Sequence, residues 1–121
     1  MSVTVLTVDD SRTMRDMLRV ALVEAGFRVV QAEDGLHGLD VLRQEAPAVV
    51  ITDINMPRMD GFGFIEAVRQ DTKYRGMPIL VLTTESDEDK KMRARRAGAT
   101  GWIVKPFDPV KLVAAIRRVA A

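Results

Sequence analysis

A chain of 121 residues, 47% hydrophobic and 29% charged, has the size and balance of one globular domain and leaves no length for a second folded unit. Lys+Arg 18 against Asp+Glu 17 gives a net charge of +1, without the basic excess of a nucleic-acid binder. The absence of cysteine excludes disulfides and thiolate metal sites, and neither a membrane-spanning apolar run nor a signal-peptide pattern is found, so a cytoplasmic protein is expected.

Short β-branched apolar runs alternate with longer segments of helical periodicity, and each change of period falls at a Gly, Pro, Asp or Ser. The first strand is predicted over residues 3–8. Met14, Met17, Leu18, Ala21 and Leu22 then repeat at helical spacing, with Gly26 as the stop. A second strand over 27–31 leads to a helix from about Asp34 to Glu45, weakened by Gly35 and Gly38 and expected to be loosely held. The third strand, 48–52, is a continuous apolar run, and a third helix runs from Gly61 to about Gln70 through Phe62, Phe64, Ile65 and Val68. After the fourth strand, 78–82, Ser86 opens a helix with Asp89 in capping-box position, and Gly98 closes it. The fifth strand spans 101–104, and Asp108-Pro109 is a cap and first-turn pair for a last helix that buries Leu112, Val113 and Ile116 and runs to residue 121.

Five βα units whose strands are apolar on both faces imply a parallel, doubly wound α/β sheet joined by right-handed crossovers. Ligands bind such sheets outside the carboxyl ends of the strands. There the first strand delivers Asp9 and Asp10, the third Asp53, the fourth Thr83 and Thr84, and the fifth Lys105 and Pro106. Three carboxylates gathered at one end repel one another unless a cation joins them, and a set of oxygen donors without histidine or cysteine suits magnesium.

VDDS, ITDINMPRMDG, VLTTES and GWIVKPF together resemble the receiver domains of response regulators, chemotaxis single-domain type, along nearly the whole chain. The resemblance implies a flavodoxin-like strand order 2-1-3-4-5. It makes Asp53 the acceptor of a phosphoryl group from the phosphohistidine of a histidine kinase. Asp9, Asp10, Asp53 and Asn55 would hold Mg2+, and Thr83 and Lys105 would contact the phosphoryl group. Thr83 and Trp102 would form the conformational switch, Trp102 standing where most relatives carry Tyr or Phe. Asn55 and Glu85 would set the lifetime of the phosphoform, expected to be short, and the Lys105–Pro106 bond is expected to be cis.

The resemblance also implies a monomer that signals by binding, with the flagellar motor switch as leading target and a phosphorelay intermediate or phosphate sink as runner-up. With no output domain read beyond the fifth helix, no nucleic acid or membrane partner is expected. A haloacid-dehalogenase-type phosphatase is a distant alternative, since Asn55 lacks the acid such an enzyme needs; flavodoxin-like flavin binding is weaker still, for want of a phosphate loop after the first strand. The basic run KKMRARR, residues 90–96, reads first as complement to a helix dipole; the resemblance implies, second, a patch for an acidic target on the face of the fourth helix, fifth strand and fifth helix. His37 is expected as a surface residue, and Met56 and Met59 as packing for the loop after Asp53.

Overall fold

The computed structural model describes residues 2–120. Its elements, in chain order, are β1 (Thr4–Val8), α1 (Arg12–Glu24), β2 (Arg28–Ala32), α2 (Gly35–Glu45), β3 (Val49–Thr52), α3 (Gly61–Gln70), a 3-10 turn (Thr72–Tyr74), β4 (Ile79–Thr83), α4 (Glu88–Ala97), β5 (Gly101–Val104) and α5 (Pro109–Ala120). The strands form one parallel sheet in the order β2-β1-β3-β4-β5, the doubly wound arrangement expected. Residue 121, the predicted end of the last helix, lies outside the described residues.

Alternate strand residues feed opposite faces. Leu6, Val8, Val50, Ile79 and Val81 pack with Leu39, Leu42, Phe64, Ile65, Val68 and Ala94, placing α2, α3 and α4 on one side. Val5, Val49, Ile51, Leu80 and Leu82 pack with Leu18, Leu22, Leu112 and Ile116 of α1 and α5 on the other. Both faces of the central strands are therefore dry, which is why their sequences read as unbroken apolar runs rather than alternating ones.

Local boundaries moved by small steps. The four strands β1 to β4 each start one residue later than predicted, and β2 and β4 end one later, at Ala32 and Thr83. The predicted capping box of α4 is replaced by Asp87: its carboxylate accepts the Asp89 N–H at 2.8 Å and the helix begins at Glu88. A carboxylate one residue nearer the helix displaces the Ser86 hydroxyl, being the stronger acceptor at the positive end of a helix dipole. The 3-10 turn was not anticipated.

The second helix is not loosely held. A Cβ on Gly38 would lie 2.9 Å from a ring carbon of Phe64 and 3.2 Å from a Val8 methyl, so the glycine that weakens α2 as an isolated helix is what lets it sit against α3 and β1. Gly38→Ala therefore reverses the effect of helix propensity. Alanine should gain about 1 kcal/mol as a helix former, but overpacking against the fully buried Phe64 costs roughly 1–3 kcal/mol. A urea melt is expected to show net destabilisation; a more stable variant would mean that the α2–α3 contact yields freely.

Candidate functional site

The sheet register builds the site. Val8 and Thr52 are paired in the β1–β3 ladder, so the residues that follow, Asp9 and Asp53, leave the sheet side by side, tied by the Asp53 N–H to the Val8 carbonyl at 2.9 Å. Thr83 pairs with Val104 in the β4–β5 ladder, and the Lys105 N–H donates to the Thr83 carbonyl at 2.8 Å, which carries the lysine to the same sheet end. The Lys105–Pro106 peptide bond is cis.

The Lys105 ammonium lies between two carboxylates. It donates to Asp9 Oδ2 at 2.9 Å and to Asp53 Oδ2 at 2.8 Å, with all three side chains nearly buried. The second oxygens are also held: Asp9 Oδ1 accepts the Ser11 N–H at 2.9 Å and Asp53 Oδ1 the Ile54 N–H at 2.6 Å. Asp10 is exposed, yet carboxylate oxygens of Asp9, Asp10 and Asp53 lie within 4.8 Å of one another. Three carboxylates against one ammonium leave the cluster anionic, and no hydrogen bond engages the Asp10 carboxylate among the described residues. The donor set is thus hard, oxygen-only and short of positive charge, which fits a small divalent cation such as magnesium.

Ionisation follows from burial and pairing. Burial raises the Asp9 carboxyl above its ordinary 3.8, more than the Lys105 hydrogen bond lowers it. Burial pulls the Lys105 ammonium down, but its bonds to Asp53 and Asp9 outweigh this and leave it above 10.5. Asp34 behaves oppositely to Asp9: the Arg58 guanidinium, 2.7 Å away, holds its carboxyl below 3.8. Because folded Asp9 binds its proton more tightly than the unfolded chain does, its contribution to stability is present below pH 3.8 and lost as pH rises through the folded value. The contribution of Asp34 is present above pH 3.8 and lost as pH falls through its lowered value. In metal-free buffer at neutral pH, Asp9→Asn should therefore melt higher than wild type and Asp34→Asn lower. Both differences should shrink on acidification, and thermal melts across acidic to neutral pH check the two signs.

Thr83 is fully buried at the end of β4, its hydroxyl accepting the Glu85 N–H at 3.4 Å. Asn55, exposed, donates its amide to Glu85 Oε1 at 3.2 Å, and Lys90 of α4 pairs with the same oxygen at 3.0 Å. These two bonds, with Lys90 first, hold the Glu85 carboxyl below its ordinary value. The Trp102 indole N–H donates to the Glu85 carbonyl at 3.0 Å, giving the larger ring the partner its N–H requires. Asn55, Glu85, Lys90 and Trp102 thus form one chain of contacts from the rim of the carboxylate cluster to α4 and β5, while Asp9, Asp53 and Lys105 form the cluster proper.

Sequence reasoning missed Lys90 in this chain, and it missed Arg58. Arg58 adopts φ 65 and reaches across to Asp34, the N-cap of α2, while the Gly35 N–H donates to the Met59 carbonyl at 3.1 Å. The loop after Asp53 is therefore fastened to α2. Asp34 was legible only as a helix start; nothing in the local sequence marks a left-handed arginine as its partner. Met56 and Met59 pack against the core as expected. His37 is half-buried rather than a plain surface residue, its Nδ1 accepting the Glu33 N–H at 3.2 Å.

A family model described as the response regulator receiver domain matches residues 5–117. The chain is 42% identical over 106 residues to a chemotaxis protein CheY homolog of Campylobacter jejuni, covering 86% of this chain and 82% of that one. It is 41% identical over 115 residues to "Probable transcriptional regulator ycf27" of Guillardia theta, covering 95% of this chain but only 44% of that one, so it spans less than half the length of that relative. Among solved structures, the chemotaxis response regulator CheY4 of Vibrio cholerae superposes with a TM-score of 0.92 at 44% identity, covering 98% of this chain and 99% of that one.

Proposed function

We propose, since this chain belongs to the family of response regulator receiver domains, that it is a phosphorylation switch whose acceptor is Asp53. The observation that carries the reading is the Lys105 ammonium held at 2.9 and 2.8 Å between Asp9 and Asp53, beside an exposed Asp10. A carboxylate of Asp53 attacks the phosphorus of a histidine kinase phosphohistidine. The new P–O bond gives an acyl phosphate, and the P–N bond breaks with its electron pair on the imidazole, which takes up a proton. An ionised carboxylate needs no general base, so the work of the site is positioning and charge neutralisation. Asp9, Asp10, Asp53 and the Asn55 carbonyl would hold Mg2+, which when bound offsets negative charge on the transferring oxygens. Lys105 supplies a second positive charge, and the Thr83 hydroxyl donates to the phosphoryl group.

Signalling then runs through the contacts at Glu85. A Thr83 hydroxyl drawn toward the phosphoryl group leaves the Glu85 N–H, which loosens the segment that carries the Asn55, Lys90 and Trp102 contacts. Phosphorylation shifts the balance between two arrangements only by its differential interaction with them. The output is phosphorylation-dependent partner binding in the cytoplasm, with chemotaxis and the flagellar motor switch as leading setting and a phosphate-sink role as alternative. The receiver domain extends over residues 1–121, acts as a monomer, and serves as a phosphoacceptor rather than a turnover enzyme.

Acetyl phosphate with Mg2+ is expected to change the fluorescence of Trp102, the sole tryptophan, and the signal should return rapidly once the donor is removed, because Asn55 and Glu85 match the polar and acidic pair of chemotaxis-type receivers, in which the phosphoryl group is lost quickly. Radiolabel persisting on Asp53 for hours with Mg2+ present would overturn the short lifetime. No fluorescence change despite full labelling would remove Trp102 from the switch.

A further inference from the structure

We infer that the groove between α3 and α4 is a docking site for an acidic polypeptide segment, distinct from the face that α4 shares with β5. This does not rest on phosphoryl transfer at Asp53. The basic run of α4 divides by helical periodicity between two faces. Glu88, Lys91, Met92 and Arg95 line a small cavity against β5 that also includes Trp102. Arg93, Arg96 and Ala97 face the other way and, with Glu66, Arg69 and Gln70 of α3, line an open groove of about 510 Å3.

The walls of this groove are fixed. The guanidinium of Arg69 donates to the Gly98 carbonyl at 3.0 and 2.8 Å and to the Tyr74 carbonyl at 2.6 Å, so one half-buried side chain joins the ends of α3 and α4 to the turn between α3 and β4. Gly98 is required there twice over: its φ is 117, and a Cβ would come within 2.6 Å of Arg69 Cγ. Arg93 lies over the Phe62 ring, its guanidinium carbon 4.0 Å from the centroid, which restrains the side chain before any ligand arrives.

The charges are unspent. Among the described residues no ion pair involves Arg69, Arg93 or Arg96, whereas Lys90 and Lys91 of the same helix are each paired with a glutamate. Arg69 gives its donors to backbone carbonyls, so the exposed Arg93 and Arg96 offer free guanidinium forks suited to carboxylates. A protein segment is favoured over a polyphosphate chain by two features. Glu66 stands in the wall, where it repels a continuous row of phosphates but tolerates spaced carboxylates; and the chain as a whole carries only +1, too little for a nucleic acid or an anionic membrane.

The test uses the whole chain, labelled with 15N, titrated with a blocked dodecapeptide of Glu and Ala and followed by amide chemical shifts. Saturable shifts centred on Glu66, Gln70, Arg93, Arg96 and Ala97 are expected. Affinity should fall at least roughly tenfold in Arg96→Glu and less in Arg93→Gln, and stay unchanged in Arg95→Glu. Since Arg93 also covers Phe62, Arg96→Glu, which uncovers no ring, carries the test if Arg93→Gln melts early. Shifts centred on Lys91, Arg95 and Trp102 would overturn the inference, as would failure to saturate. So would tighter binding at the groove by duplex DNA or phosphatidylglycerol vesicles offered at equal charge.

Discussion

Asp53→Asn is expected to take up no phosphoryl group from acetyl phosphate with Mg2+, while the wild-type chain gains the mass of one. The amide keeps the shape of the side chain, and its one oxygen can accept from the Ile54 N–H; its NH2 cannot accept from the Lys105 ammonium, which keeps its bond to Asp9, so the fold should survive. What it loses is the anionic oxygen to which the proposed function gives the attack on phosphorus, and for which neither neighbour is a substitute. Asp9 has one oxygen committed to the Ser11 N–H and the other to Lys105, and burial already disfavours its ionised form. Asp10 is free but exposed, without the buried ammonium that neutralises an attacked phosphoryl group. Intact-mass spectrometry reads the result directly. Labelling of the Asn variant at the wild-type level would place the acceptor elsewhere and remove the central residue of the proposed function.

Lys105→Ala should have two separable effects. The first is on chemistry: loss of a preorganised donor aimed at developing charge lowers rates by roughly 10²–10³ in comparable sites, and the labelling rate is expected to fall by that order. The second is on stability. Removing one partner of a buried pair strands the others and costs about 3–5 kcal/mol where no relief exists. Here protonation of Asp9 gives relief, since its carboxyl is already raised by burial, so a loss near the lower end is expected in metal-free buffer at neutral pH. Adding Asp9→Asn to Lys105→Ala should restore most of that stability and none of the labelling rate. Urea melts and labelling time courses on the single and double variants check both. Recovery of both together would mean that the lysine serves the fold alone.

The two variants separate what local sequence carries from what the assembled sheet adds. Strand and helix periods, together with the change of period at each Gly, Pro, Asp or Ser, were enough to predict five βα units and hence a parallel sheet with helices on both faces. Because side chains at the carboxyl ends of such strands must share one edge, the sequence alone groups Asp9, Asp10, Asp53, Thr83 and Lys105, although they are spread over most of the chain. The function proposed for that group rests on the resemblance of four short motifs and not on periodicity.

Other features depended on which element lies against which. Helical spacing sets Arg93 and Arg96 on a different face from Lys91 and Arg95, but only packing decided that the first pair meets α3 and the second β5. Propensity judged Gly38 a weakness, and the nearness of Phe64 made it a requirement. A capping-box pattern pointed to Ser86, and the adjacent carboxylate of Asp87 took the role. The bonds of Glu85 to Asn55 and Lys90, and of Arg58 to Asp34, join residues from different loops. Period and propensity are properties of a few consecutive residues, so they survive in the string of letters. Contacts between loops are fixed only when the sheet sets the loops side by side, and a distance across space leaves no mark on either segment alone.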